Sequence, residues 1–268
     1  MERTKAVLIT GAASGIGRAV CDKFLEEGHI VFALDVAECA EREGQTAFAC
    51  DVTSEQSVTA VREELCRLGV KLDLIINVAG MHRMCSLVEG DVTMMKRLID
   101  VNLCGAMTVN RIMHGLLAEN GRIVIVTSEV APLDPMPFNG LYSVSKTALD
   151  CYSQALRQEL NLLGQQVITV RPGAVATPLS GGSIADTERL VSATELYSRQ
   201  AKHFHGLVTG FMGVPIAPEK MAAQIYKAAT CRRPRLVYSK HRSLGLVLLN
   251  ALPKRLQCFI IKALLNRK

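Results

Sequence analysis

Residues 5–10, KAVLIT, run without a break into GAASGIG at 11–17 and then into an amphipathic stretch over 18–27. No other feature of the chain restricts its fold as tightly. The apolar run reads as a short buried strand. Gly11, Gly15 and Gly17 let the backbone turn sharply and approach a ligand closely, with Ser14 and Ile16 between them. The helix that follows opens with free N–H groups and the positive end of its dipole, both suited to a pyrophosphate. Strand, glycine turn and helix in this order are the first unit of a nucleotide-binding sheet, although the spacing GxxxGxG differs from the more common GxGxxG.

The same alternation continues down the chain. HIVFAL ends at Asp35, TAFACD follows at 46–51, and a helical pattern covers 55–68. LDLIIN at 72–77, a long helix over about 91–117 and RIVIVTS at 122–128 complete the series. The apolar runs at 74–76 and 123–126 lack period-2 alternation, as parallel strands covered on both faces should. These elements predict a doubly wound α/β fold, a Rossmann-type parallel sheet in a three-layer αβα arrangement. Such sheets bind ligands at the carboxyl ends of the strands, where the strand order reverses. Gly11, Asp35, Asn77, Ser128 and Pro172 fall at those ends.

YSVSK at 142–146 places a phenol and an ammonium four residues apart in a helix predicted over 141–163. Tyr142 and Lys146 therefore share one helix face. A free tyrosine titrates near pH ~10, and a neighbouring cation favours its phenolate. The pair is accordingly expected to hold the phenol below its ordinary pKa, ready to exchange a proton with a substrate hydroxyl.

With these motifs in register the chain resembles the short-chain dehydrogenases/reductases, in particular their hydroxysteroid-dehydrogenase-like members. The resemblance covers residues 4 to about 178 and rests on TGAASGIG at 10–17, Asp35, Asp51 and Val52, and NVAG at 77–80. It continues through Asn102 in VNLCG, Ser128, YSVSK, and RPG at 171–173 followed by Thr177 and Pro178. The resemblance implies four catalytic residues. Tyr142 is the general acid or base, Lys146 holds the nicotinamide ribose, and Ser128 hydrogen-bonds the substrate oxygen. Asn102 completes a proton relay through a water on its backbone. It further implies cofactor contacts at Asp51 and Val52 for the adenine, at Val175 and Thr177 for the carboxamide, and at Asn77, Ala79, Gly80, Pro172 and Gly173. Two positions depart from the family pattern, Val78 in place of a second asparagine and Pro132 where a glycine is common. Neither removes a reacting group. Pro132, Pro135 and Pro137 stiffen the loop between Ser128 and Tyr142.

Asp35 ends the second strand, where a carboxylate accepts hydrogen bonds from both ribose hydroxyls and repels a 2′-phosphate. Position 14 is serine and position 36 valine, so no local cation offsets that charge. The expected cofactor is NAD. The expected activity is interconversion of a secondary alcohol and a ketone on a lipophilic, steroid- or bile-acid-like substrate. Reduction of a 3-oxoacyl thioester or another small carbonyl, and a catalytically silent NAD-binding sensor, are the competing readings.

Residues 1–240 are read as the catalytic domain, with a substrate lid over 178–217. SGGS at 180–183 marks a hinge-like turn in that lid. Leu190, Val191, Leu196, Tyr197, Phe204, Leu207, Phe211 and Met212 supply apolar surface, with Met81, Met84 and Met136 near the mouth. That surface either meets a lipophilic substrate or packs the lid itself. Residues 241–268 form a basic extension. All 25 acidic residues lie at or before Glu219, whereas 12 of the 31 Lys and Arg follow it. Leu256, Phe259, Ile260, Ala263 and Leu264 recur at helical spacing among Lys254, Arg255, Lys262, Arg267 and Lys268. This basic amphipathic helix either docks on its own domain or lies on an anionic membrane surface. Few aromatic residues accompany the basic stretch and no reading motif is present, which argues against nucleic acid.

The six histidines and nine scattered cysteines show no metal-ligand spacing, so no metal is expected. With no leader ahead of the first strand and no apolar run of about 18 residues, the expected setting is cytoplasmic. The family resemblance implies a homodimer or homotetramer through the helices near 91–117 and 141–163.

Overall fold

Successive residues of the central strands point to opposite sides of one sheet, and both sides are apolar. The computed structural model describes residues 3–211 and 215–267. Its elements are, in order, β1 (Ala6–Thr10), α1 (Gly15–Glu26), β2 (Ile30–Asp35), β3 (Gln45–Ala49), α2 (Glu55–Arg67) and β4 (Leu72–Asn77). Next come α3 (Val92–Ile99), α4 (Gly105–Met113), β5 (Leu117–Val126), α5 (Gly140–Asn161) and β6 (Gln166–Pro172). The last part holds α6 (Pro178–Ala193), α7 (Ser198–Phe211), α8 (Pro218–Thr230), β7 (Val237–Lys240), α9 (Leu244–Asn250) and α10 (Lys254–Leu265).

The strands form a seven-stranded parallel sheet in the order β3-β2-β1-β4-β5-β6-β7. Val7, Ile9, Ile76 and Val124 face one side and bury Val20 and Phe24 of α1 with Met221 and Ile225 of α8. Leu8, Ile75, Ile123 and Ile125 face the other and bury Leu65 of α2, Val109 and Met113 of α4, and Leu149 and Leu160 of α5. The three-layer Rossmann-type fold follows from this two-sided burial. The strand order reverses between β1 and β4. There the Thr10 hydroxyl accepts the N–H groups of Val78 and Ala79, both at 3.1 Å, and ties the two strand ends together.

Three segments differ from the sequence reading. The helix expected over 91–117 is interrupted by a π turn, Asp100–Cys104, between α3 and α4. Asn102 on that turn reaches out to the backbone of Met81, and Gly105 abuts Val52, where an added Cβ would sit 2.6 Å from a valine methyl. The extra residue of a π turn accommodates this long-range tie. Second, SGGS is not a hinge but lies inside α6. Glycine in a helix costs about 1 kcal/mol relative to alanine. Asp186 and Thr187 of the same helix are buried and bonded, Asp186 to Arg83 and the Met84 N–H and Thr187 to the Ile184 carbonyl and His205, and these ties hold the helix in place. Third, the lid residues turn inward on one another. Leu190, Ala201 and Phe204 pack with Phe138 and Leu265, and Val191, Tyr197 and Leu207 flank that cluster. Met212 lies outside the described residues, and the side chain of Phe211 is likewise not described.

The basic extension closes over this lid. Ile261 and Leu265 of α10 join the cluster on α7, and Gln257 donates to the carbonyls of Leu252 (2.7 Å) and Asn250 (3.3 Å). The docked face thus runs along Gln257, Ile261 and Leu265. Leu256 and Phe259, read as part of the helix's apolar spacing, project outward from the docked face.

Candidate active site

A cavity of about 470 Å³ opens along the carboxyl ends of β1, β2, β4, β5 and β6. Gly11 and Gly15 adopt left-handed backbone angles, φ 68° and 52°. An added Cβ on Gly11 would lie 2.8 Å from the backbone of Ala79, and one on Gly17 would lie 1.9 Å from the Gly11 carbonyl oxygen. The loop is therefore folded so tightly that only glycine fits. Ser14 caps α1 without a side-chain hydrogen bond, and no acidic residue occupies the first turn. The helix dipole and its first N–H groups are left directed at the cavity beside Gly15, Ile16 and Gly17.

The carboxylate of Asp35 is held at the end of β2, accepting the N–H of Ala13 and the N–H of Ala37, each at 3.0 Å. Each oxygen keeps a lone pair for a ligand hydroxyl. Asp51 accepts from Thr53 and from Arg97 at 3.1 Å, and these partners, the Thr53 hydroxyl foremost, hold its carboxyl below the usual range. Val52, Ala79, Gly80, Pro172, Gly173, Val175 and Thr177 also line the cavity. This cradle fits a dinucleotide: a glycine turn at a helix N-terminus for the pyrophosphate and a fixed carboxylate for a ribose.

Asn77 and Asn102 stand behind the wall rather than in it. The Asn77 amide donates to Asn110 at 2.7 Å, while its buried carbonyl oxygen has no hydrogen-bond partner. Asn102 is fully buried; it accepts the Met81 N–H at 2.7 Å and donates to the Met81 carbonyl and the Ser145 hydroxyl, both at 2.9 Å. It clamps the strand end after β4 to α5.

Ser128, Tyr142 and Lys146 meet in the same cavity that the glycine loop lines. Ser128 follows the end of β5, hydrogen-bonds the Tyr142 phenol, and accepts weakly from the Val130 N–H at 3.4 Å. The Lys146 ammonium lies 5.9 Å from the Tyr142 ring centroid and donates to the Val126 carbonyl at 3.4 Å. The expected pKa direction is reversed here. Burial pushes the Tyr142 phenol up to about 12, against the Ser128 hydrogen bond and with help from the Glu129 carboxylate. The same burial pulls Lys146 down to about 8. Desolvation sets both directions, because both groups are buried.

The structure adds residues that the sequence reading missed. His82 lines the cavity, its ring edge-on to Tyr142 at 4.5 Å between centroids. Its Nε2 pairs with the side-chain Oδ1 of Asn139 at 3.0 Å, and its Nδ1 lies 3.5 Å from the Ser183 hydroxyl and 3.8 Å from Asp186. Asp186 is buried, ion-paired to Arg83 at 2.6 Å, and accepts the Met84 N–H at 3.2 Å. Burial lowers the His82 pKa. The position of His82 two residues after NVAG, and the i, i+3 spacing of Ser183 and Asp186, were the signals available. Glu129 also lines the cavity; burial raises its carboxyl, and it accepts the Ser243 N–H at 2.5 Å. Among the described residues no cluster of His, Cys, Asp and Glu is arranged for a metal, and no helix is long and apolar enough to cross a membrane.

Comparison with known proteins agrees with this geometry. The family model described as short chain dehydrogenase matches residues 5–188. The chain is 34% identical over 205 residues to the NADPH-dependent 1-acyldihydroxyacetone phosphate reductase of Schizosaccharomyces pombe, covering 74% of this chain and 69% of that protein. It is 31% identical over 209 residues to the short-chain dehydrogenase srdE of Neurospora crassa, covering 76% and 71%. In fold it is similar to the aldohexose dehydrogenase of Thermoplasma acidophilum, with a TM-score of 0.73, 22% identity and coverage of 88% and 92%. It is also similar to the 3-ketoacyl-(acyl-carrier-protein) reductase of Brucella melitensis complexed with NADH, with a TM-score of 0.70, 21% identity and coverage of 88% and 96%.

Proposed function

From the premise that this chain belongs to the short-chain dehydrogenases, oxidoreductases that use a nicotinamide cofactor, we propose that it interconverts a secondary alcohol and a ketone on a lipophilic substrate with NAD. The observation that carries this reading is the convergence of Ser128, Tyr142 and Lys146 in one cavity with the glycine loop. The nicotinamide supplies or accepts the hydride. The chain's own residues manage the oxygen. Ser128 holds it beside the phenol, and Tyr142 gives or takes its proton. Lys146, largely an ammonium at neutral pH with a pKa of about 8, stabilises negative charge developing on Tyr142. A phenol with a pKa of about 12 is the form that protonates a carbonyl oxygen. Alcohol oxidation draws on the minor phenolate and should accelerate as pH rises through the alkaline range.

NAD is favoured by Asp35, whose fixed carboxylate would meet a 2′-phosphate with like charge. The lipophilic substrate is supported by the apolar rim at Val130, Pro178 and Pro215. Of the apolar residues read as meeting the substrate or packing the lid, Leu190, Val191, Tyr197, Phe204 and Leu207 pack the lid, so these lend the lipophilic reading no support. A second reading, NADPH-dependent reduction of an acylated ketone or thioester, draws on the Schizosaccharomyces pombe relative. Asp35 opposes it. We also expect a homodimer or homotetramer, since Met107 of α4 and Val144 of α5 are exposed apolar side chains on the helices concerned.

The test is NADH fluorescence with a panel of hydroxysteroids, bile acids, simple secondary alcohols and hydroxyacyl thioesters, run with NAD and with NADP. Turnover of one lipophilic class, lost by a factor of about 10² or more in Tyr142→Phe while NAD still binds, is the expected result. NAD binding without turnover of any compound would refute the enzymatic reading.

A further inference from the structure

The last 25 residues carry an outward surface that the reaction does not use. Helix α9 buries no residue, and Leu244 and Leu248, one turn apart on its outer face, are 77% and 69% exposed. On α10 the docked face is Gln257, Ile261 and Leu265, which leaves Leu256 (43% exposed) and Phe259 (68%) facing solvent. Arg255, Lys262 and Arg267 flank them. Four large apolar side chains set among cations, on two short helices, are uncommon on a surface meant to stay in water.

The extension is also fastened to the mouth of the cavity. The Ser243 N–H at the start of α9 donates to Glu129, the cavity residue next to Ser128. Lys254 at the start of α10 pairs with Asp134 on the proline-rich loop between β5 and α5. Near the end of α10, Asn266 accepts from Gln200 of α7 at 2.6 Å. The surface therefore moves with the lid and the loop that frame the entrance.

We propose that the outward face of α9 and α10 is a docking surface for an anionic lipid bilayer, which holds the cavity mouth against the membrane. Charge selects this occupant. Residues 244–267 contain no acidic residue, whereas Arg255, Lys262 and Arg267 are exposed cations there, beside Lys254 in its pair with Asp134. The same face of a second copy would bring like charge to the contact and be repelled. An anionic bilayer attracts each basic residue near its surface by about 1 kcal/mol, and its interface accepts leucine and phenylalanine side chains that water does not. Helices of this kind lie in the plane of the interface rather than crossing it, as their length requires.

The proposal stands apart from the reading of the reaction, because binding is measured with neither substrate nor cofactor. The full chain is sedimented with vesicles of phosphatidylcholine alone and with vesicles of equal parts phosphatidylcholine and phosphatidylserine. The expected result is binding to the mixed vesicles only, weakened by added salt. Leu248→Ser with Phe259→Ser should weaken it about tenfold or more, and Arg255→Gln with Lys262→Gln should do the same. All four side chains are surface residues of the extension, so the NAD-induced rise in thermal midpoint should be unchanged and serves as the check on folding. Absence of binding to the mixed vesicles overturns the proposal. So does binding that survives both substitutions at Leu248 and Phe259, which would reduce the surface to unspecific charge. Capture by an acidic polymer such as heparin with no binding to vesicles would transfer the surface to a different partner and equally overturn it.

Discussion

Replacing Lys146 by methionine should make this protein more stable and abolish its proposed chemistry. The ammonium is 4% exposed, and its only hydrogen bond in the described structure is a long one, 3.4 Å, to the Val126 carbonyl. Burial lowers its pKa from an ordinary 10.5 to about 8. A displacement of that size means that the folded chain holds the charge at a cost of about 3 kcal/mol relative to the unfolded chain. Methionine has nearly the same length and helix preference, and it removes the charge along with one weak bond of about 1 kcal/mol. A net gain of about 2 kcal/mol should appear as a rise in Tm of roughly 5 °C for a chain of this size.

The sign with pH makes the test specific. Below a pH of about 8 both folded and unfolded wild-type chains carry the proton, so the full cost is present. Between about 8 and 10.5 the folded chain releases its proton first, the unfolded chain binds more protons, and wild-type stability rises with pH. The advantage of methionine should therefore shrink across that window and vanish above it. Tyr142, pushed up to about 12 by burial, stays protonated in the folded chain across this window and so adds little to the difference. The assay is chemical or thermal unfolding of both chains at neutral pH and at several alkaline values. A methionine variant less stable than wild type at neutral pH, or one whose advantage does not change with pH, would refute the reasoning.

Asn102→Ala strands the Met81 N–H and carbonyl and the Ser145 hydroxyl, so a loss of about 3 kcal/mol in urea unfolding is expected, with weaker cofactor binding as the strand end loosens. Asp35→Ser removes the carboxylate proposed to meet the ribose hydroxyls. The NAD to NADP preference, from kcat/KM with each cofactor, should fall by about tenfold or more, and an unchanged ratio would place discrimination elsewhere. His82→Leu keeps the apolar contact with Tyr142 but breaks the ties to Asn139, Ser183 and Asp186. A kcat reduced by about tenfold with NAD affinity intact would mark His82 as a positioning residue, whereas equal losses in both would mark it as merely structural.

What the sequence declares and what it hides divide along a physical line. Strands such as Val7–Ile9 and Ile123–Ile125 are legible because burial on both faces leaves an unbroken apolar run, and helices α2 and α5 because their periodicity is local. The glycine loop is legible because left-handed angles at Gly11 and Gly15 select a residue type. The π turn at Asn102 is not, since its cause is a hydrogen bond to Met81, far away in the chain. Likewise, SGGS looks like a hinge until the burial of Ser183 and Asp186 is known. The direction of the Tyr142 shift was misjudged for the same reason. The neighbouring lysine is written four residues away, whereas the surroundings that bury both groups are assembled from several elements.

Polar groups that fit their surroundings poorly are concentrated at the strand ends around this cavity. The Asn77 carbonyl oxygen is buried without a partner, Lys146 is charged in a recess that disfavours charge, and Tyr142 is held neutral beyond its ordinary range. Elsewhere burial also lowers Arg122 and Arg157, but each has several partners: Arg122 donates to the carbonyls of Ala228 and Cys231, and Arg157 to those of Val167 and Leu236 and to the Thr169 hydroxyl. Folding stability alone would replace the cavity groups by hydrocarbon, as the Lys146→Met prediction assumes. Their retention at one end of one sheet is what a site for proton exchange requires, because a group must be desolvated before its proton affinity becomes sensitive to what binds beside it.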